Sequence, residues 1–252
     1  MKASRIGRES GYSHSMYFDW LYLVLAAPGL LLGLWAQWRV KSTFTHFSQV
    51  ATRRGMTGAE VAHWILQTEG IQGVSVEGAS GFLSDHYSPN EKTLRLSPDV
   101  YSGRSIAAVG VAAHEVGHAI QDARAYAFLG MRSMLVPVVQ FASPISTWVI
   151  FGGFALSGFS HLLGQLTMIA GIALFSMVVL FQLITLPVEF DASSRALAAI
   201  EKGQLLQGDE LDGARSVLRA AAWTYVAAAI SAVMTLLYFL IRSGLLGGRR
   251  RD

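Results

Sequence analysis

"LLGQLTMIAGIALFSMVVLFQLITLPVE", residues 162–189, decides what kind of molecule this is. No charged side chain interrupts it between Leu162 and Val188, and then Glu189 follows at once. A helix needs about 20 predominantly apolar residues to cross the roughly 30 Å hydrocarbon layer of a bilayer. The run therefore predicts a transmembrane helix over 162–188. Three other stretches meet the same requirement: "YFDWLYLVLAAPGLLLGLWAQWRV" at 17–40, residues 127–158 with Arg132 as their only charge, and residues 221–243, which contain "AAWTYVAAAISAVMTLLYFLI". The first is not a secretory signal, because its apolar core is too long and "WAQWRVK" offers no small-residue cleavage site.

Composition agrees with four spans. The chain has 252 residues, of which 52% are hydrophobic and 15% charged, against about 25% charged in ordinary soluble domains. There is no cysteine, which removes disulfides and thiolate metal sites. The net charge is only +3, with no basic stripe interleaved with aromatics, so nucleic acid is not an expected partner. The lipid bilayer is.

Around the spans, residues 1–16 read as a disordered basic tail, 41–125 as the main polar segment, 189–220 as a second polar segment, and 244–252 as a basic tail. Within the main segment "TGAEVAHWILQTEG" predicts a helix opened by a capping box, Thr57 with Glu60, and closed by Gly70. "GFLSDHYSPNEKTLRLS" predicts a small β-hairpin turning at "SPNE". A further helix is expected from about Ser102 to Arg124. The second polar segment predicts two helices broken near "KGQLLQGDE". Because the second and third spans form a membrane hairpin, both polar segments emerge on one side. The turn at 152–163 lies on the other.

The helix expected near 102–124 carries "VGVAAHEVGHAIQDA", residues 109–123. Residues four apart share a helix face, so His114 and His118 can hold one Zn²⁺ between their imidazole nitrogens. Glu115, one residue on, sits beside the metal, where a general base for an attacking water belongs. The bland alternative is a polar stripe on a half-buried helix, which leaves two imidazoles and a carboxylate without partners at a cost of several kcal/mol.

A catalytic zinc takes a third protein ligand and keeps one position open. The ligand must come from the same side of the membrane as His114, which disqualifies His161. Glu189 meets the condition, and a carboxylate at the border of an uncharged run is functional by default; a helix-start carboxylate is its plainer reading. Asp212 in "ELDGARS" and His86 in the hairpin are rivals. Asp212 fits less well, because a third ligand of that type goes with a histidine pair inside a spanning helix. Here Arg104, Asp122 and Arg124 bracket a helix too short to span. Asp122, one turn after His118, is placed to accept that ring's second N–H. Asp191 is assigned no role.

Taken together, "SDHYSPNEKTLRLSPDVYSGRSIAAVGVAAHEVGHAIQ" and "LPVEFDASSRAL", with "PGLLLGLWAQWRVKSTF" and "VLRAAAWTYVAAA", resemble the YugP-type bacterial membrane zinc metallopeptidases. The resemblance runs over nearly the whole chain after about residue 16. More distantly the pattern is similar to the HtpX-like membrane gluzincins. It implies zinc, peptide hydrolysis, and Glu189 as third ligand beside His114 and His118. One position departs: the distant relatives carry an aspartate four residues after the ligand glutamate, where this chain has Ser193.

The expected fold is thus mainly α, an integral membrane protein with four transmembrane helices, a zincin-like catalytic helix and a small β-hairpin. The expected function is a multi-pass cell-membrane zinc metalloprotease. Its partners would be protein or peptide substrates at the membrane surface, with Glu115 as base and His86, Tyr87 and Arg195 as candidate substrate-binding groups. The strand "KTLRLS" is expected to offer its edge to an extended substrate. Basic residues near the membrane, among them Arg39, Lys41, Arg53, Arg54, Arg124 and Arg195, place the catalytic side in the cytoplasm by the positive-inside rule. The reading from a different class is a zinc-binding membrane scaffold without catalysis, although no fourth protein ligand of the kind a structural site needs is evident.

Overall fold

The computed structural model describes residues 19–81 and 84–246; the N-terminal tail and the end of the basic C-terminal tail lie outside the described residues. Four helices are long and apolar enough to cross a membrane: α1 (Trp20–Ser48), α5 (Ala127–Leu156), α6 (His161–Lys202) and α7 (Asp209–Arg242). The short helices α2 (Gly58–Thr68), α3 (Pro98–Tyr101) and α4 (Ile106–Ala123) fall between α1 and α5. Strands β1 (Ser75–Gly78), β2 (His86–Ser88) and β3 (Thr93–Leu96) lie between α2 and α3.

The third span does not end at Glu189. α6 is one helix of 42 residues, about 63 Å at 1.5 Å per residue, twice the hydrocarbon thickness. Pro187 lies inside it, and the helix absorbs the missing N–H without a break. The outer portions of α6 and α7 are therefore continuous with their spans, and the second polar segment is two helix ends broken at 203–208, as the sequence predicts. Those ends, with α2, α4 and the sheet, enclose a core of Val61, Ile65, Leu94, Leu96, Val109, Val116, Ile200 and Leu218.

The capping box forms in full: Thr57 Oγ1 accepts from Glu60 N–H at 3.1 Å, and Thr57 N–H donates to Glu60 Oε2 at 2.7 Å. The hairpin forms too, with Ser88 opposite Thr93 and His86 opposite Arg95. A third strand was not anticipated. β1 pairs in parallel with β3, Ser75 to Thr93 through Gly78 to Leu96, giving the order β1-β3-β2. This corrects the expected substrate edge: β3 is central and both its edges are taken. The strand with an outer edge on the hairpin side is β2.

Close helix approaches place α4. A Cβ on Gly117, inside the histidine motif, would lie 2.3 Å from the Ala192 carbonyl oxygen of α6. Gly110 meets Ala214 of α7 at ordinary contact distance. The glycine at 117 is thus what lets the histidine-bearing face come down onto α6 beside Glu189.

Candidate metal centre

α4 carries His114 and His118 one turn apart, their ring centroids 4.9 Å from each other. Both Nε2 atoms face the same oxygen, Oε2 of Glu189, at 3.2 and 3.6 Å. Glu189 is 2% exposed. Among the described residues these three bring one ligand atom each within 4.8 Å of one another.

Proton positions follow from the partners. Gln121 is fully buried, and its Nε2 donates to the Val188 carbonyl at 2.7 Å and to Asp191 Oδ2 at 2.8 Å. Its Oε1, 3.0 Å from His118 Nδ1, must therefore be accepting. His118 thus carries a proton on Nδ1, and in the neutral ring its lone pair is on Nε2. His114 Nδ1 stands 3.1 Å from Ser193 Oγ, a hydroxyl that can donate or accept there. With both rings neutral and protonated on Nδ1, two imidazole lone pairs and a carboxylate oxygen converge, a donor set suited to a cation. Ligand atoms about 2.0–2.1 Å from a tetrahedral zinc lie about 3.3–3.4 Å apart, close to the two distances to Oε2. The residues fit zinc.

Outer contacts explain what the sequence left open. Ser193, where distant relatives carry an aspartate, still reaches the ring of His114. The predicted contact from Asp122 to His118 is not made. The longer Gln121 reaches back to that ring, while Asp122 Oδ2 takes the Tyr87 hydroxyl at 2.6 Å and Lys92 Nζ at 2.5 Å. Asp191 has a role after all: it holds Gln121 and is itself held by Arg195 Nε at 2.5 Å.

Glu115 lies beside the histidines and faces a cavity of about 240 Å³ that it shares with His118, Glu189, Asp85, His86 and Tyr87. Burial, the largest influence, pushes its carboxyl up to about 7. Asp85 accepts from the N–H and hydroxyl of Ser97 at 2.7 and 3.0 Å, and burial raises its carboxyl as well. His86 lines the cavity with Nδ1 turned to the Ser84 carbonyl at 2.8 Å. Tyr87 contributes its ring, since its hydroxyl is committed to Asp122.

Arg195 is not brought to this cavity. Its guanidinium pairs with Asp191 and lies 5.6 Å from the Tyr126 ring centroid. Six residues along a helix turn it about 120° from Glu189. Of the two rivals for third ligand, Asp212 stands apart, paired with Arg215 in the first turn of α7, while His86 lines the cavity without joining the three converging ligand atoms. His161 begins α6, about 42 Å along the axis from Glu189.

The spans themselves also line the cavity. Arg132 of α5 donates from Nη1 to Glu189 Oε1 at 2.8 Å, and Tyr225 of α7 lines the same space. Arg132 carried a readable signal, as the one charge in an apolar run. Tyr225 had none. With Leu129, Ser133 and Val136 of α5 also on the wall, the cavity lies between the sheet and the upper membrane hairpin.

Residues 22–244 match the model of the family described as "Putative neutral zinc metallopeptidase". The chain is 47% identical over 222 residues to the "Putative membrane protease YugP" of Bacillus subtilis (strain 168), spanning 88% of this chain and 96% of that protein. No solved structure matches the chain significantly.

Proposed function

We propose, for a chain that belongs to the neutral zinc metallopeptidase family, that it hydrolyses peptide bonds with His114, His118 and Glu189 holding zinc and Glu115 as general base. The observation that carries this reading is the convergence of both Nε2 atoms on one Glu189 oxygen with Glu115 alongside. Bound there, zinc polarises the scissile carbonyl and lowers the pKa of an attacking water toward 7.

The chain's own residues do the rest. Gln121 holds His118 in the tautomer that presents Nε2, and Ser193 steadies the His114 ring. Glu115 accepts a proton from the attacking water at a carboxylate oxygen and returns it to the leaving amine. An extended substrate adds to the outer edge of β2, with His86 and the Tyr87 ring beneath it.

Membrane-associated or unfolded polypeptides are the substrate class favoured by the position of the cavity. Its wall includes α5 from Leu129 to Val136, so a chain emerging from the bilayer reaches it without leaving the surface. The cytoplasmic orientation of this side remains our reading from the basic residues around it.

Glu115→Gln tests the mechanism. Purified protein should keep its zinc and lose hydrolysis of a membrane-tethered peptide by about 10²–10⁴-fold. Hydrolysis by the variant at the wild-type rate would remove Glu115 as the base, whereas zinc bound with no hydrolysis by the wild-type protein would leave the zinc-binding scaffold as the better account.

A further inference from the structure

We infer that Arg132 is the positioning residue that holds Glu189 as a metal ligand, and that the register of the membrane hairpin in turn holds Arg132. The inference rests on the reading of His114, His118 and Glu189 as a zinc site.

The two oxygens of Glu189 have different partners. Oε2 faces the two histidines at 3.2 and 3.6 Å, while Oε1 takes Arg132 Nη1 at 2.8 Å. With its carboxylate 2% exposed, the glutamate has little water to satisfy Oε1. Removing Arg132 takes the cationic partner from that oxygen, leaves the Tyr225 hydroxyl as a neutral contact to the carboxylate, and lets the carboxylate turn, so both oxygens compete for the position facing the histidines. A guanidinium placed within a membrane helix is itself costly, more so at the centre of a span than near its end. The cation and the carboxylate offset each other's cost at the border of the hydrocarbon.

The register shows why this arginine meets this glutamate. Along the α5–α6 hairpin, a Cβ on Gly164 would press on Ser157, one on Gly153 on Met168, and one on Gly171 on Ile150. Each of these pairs is disposed antiparallel about the same turn, and continuing that register outward brings position 132 opposite position 189. The glycine contacts within the lipid therefore set where the guanidinium lands. Lysine would not replace it fully: it supplies a point charge in place of a planar fork.

Zinc affinity decides the matter. It is measured on the full-length protein in detergent by competition with a chromophoric chelator, together with the visible spectrum of the cobalt-substituted form. Arg132→Gln should weaken zinc by about 10–100-fold, the range for loss of an outer-shell partner, and alter the cobalt spectrum. Arg132→Lys should recover part of the affinity. In a Glu189→Gln background, Arg132→Gln should cause no further loss, because the carboxylate it positions is gone.

An affinity for Arg132→Gln within twofold of wild type, or an equal loss in both backgrounds, overturns the inference. Should Arg132→Gln fail to fold, Arg132→Lys runs the same cycle, and wild-type affinity with an unchanged cobalt spectrum overturns it. His118→Ala is measured alongside. If it keeps wild-type zinc affinity, the metal centre itself is misread; if it loses zinc while Arg132→Gln does not, only the role of Arg132 falls.

Discussion

The half of the molecule around α4 and the half made by the spans are built on opposite rules, although α6 and α7 run through both. Around α4 the large apolar side chains point inward: Ile65, Leu94, Leu96, Val116 and Ile200 are buried. In the spans they point outward. Phe141, Trp148, Phe151, Leu162 and Leu166 are all exposed on the bare chain, and the close contacts between α5 and α6 are made at Gly153, Gly164 and Gly171. Where water is the solvent, apolar burial drives packing. Where lipid is the solvent, leucine gains nothing by turning inward, and helices associate through small residues that admit close approach. The proposed metal centre stands on the seam, with His114 and His118 from the first regime and Glu189, with its arginine, from the second.

That contrast can be broken in graded steps. The largest stability loss is expected from Leu94→Ala, which opens a void in the water-facing core. About 2–5 kcal/mol should appear as a lower denaturation midpoint in detergent, with the spans still helical by circular dichroism. Gly117→Ala strikes the seam. The added methyl meets the Ala192 carbonyl, so about 1–3 kcal/mol of overpacking cost is expected. Zinc affinity should fall with it, because α4 must lift away from Glu189; an unchanged affinity would show that the site tolerates a looser seam. Thr57→Ala removes one half of the capping box and should cost about 1 kcal/mol without touching zinc affinity. Phe141→Ala, on the lipid-facing side, should change the midpoint by less than about 0.5 kcal/mol. A core-like loss there would mean that the face is covered by protein rather than lipid.

Legibility in the sequence followed range. Features written within one helix or one turn could be read directly: the four spans, the Thr57 capping box, the β-hairpin, and the face shared by His114 and His118. Glu189 could be read because an uncharged run makes a single carboxylate conspicuous. Arg132 sends the same kind of signal, but its partner lies across a hairpin, and only the register of α5 on α6 identifies it. β1 escaped notice because it is four residues long and its pairing with β3 is parallel across a crossover. Asp191 illustrates a subtler failure. Its angle from Glu189 does carry it away from the metal, yet Gln121 bridges back from α4, and a helix wheel for α6 alone contains no Gln121. The border marked by Glu189 is one of charge only, and α6 passes straight through it.

The order in which the ligands occur along the chain sets a timetable for biosynthesis. The histidines leave the ribosome first, and Glu189 follows 75 residues after His114, with an outward and a return crossing of the bilayer in between. Until that round trip is complete the third ligand is absent from the side where the histidines wait. Chains arrested before residue 189 should accordingly retain no tightly held zinc through gel filtration. On the proposed reading, a complete zinc site is withheld until the membrane has taken up the hairpin, and insertion would do the work that a removable propeptide does in other proteases.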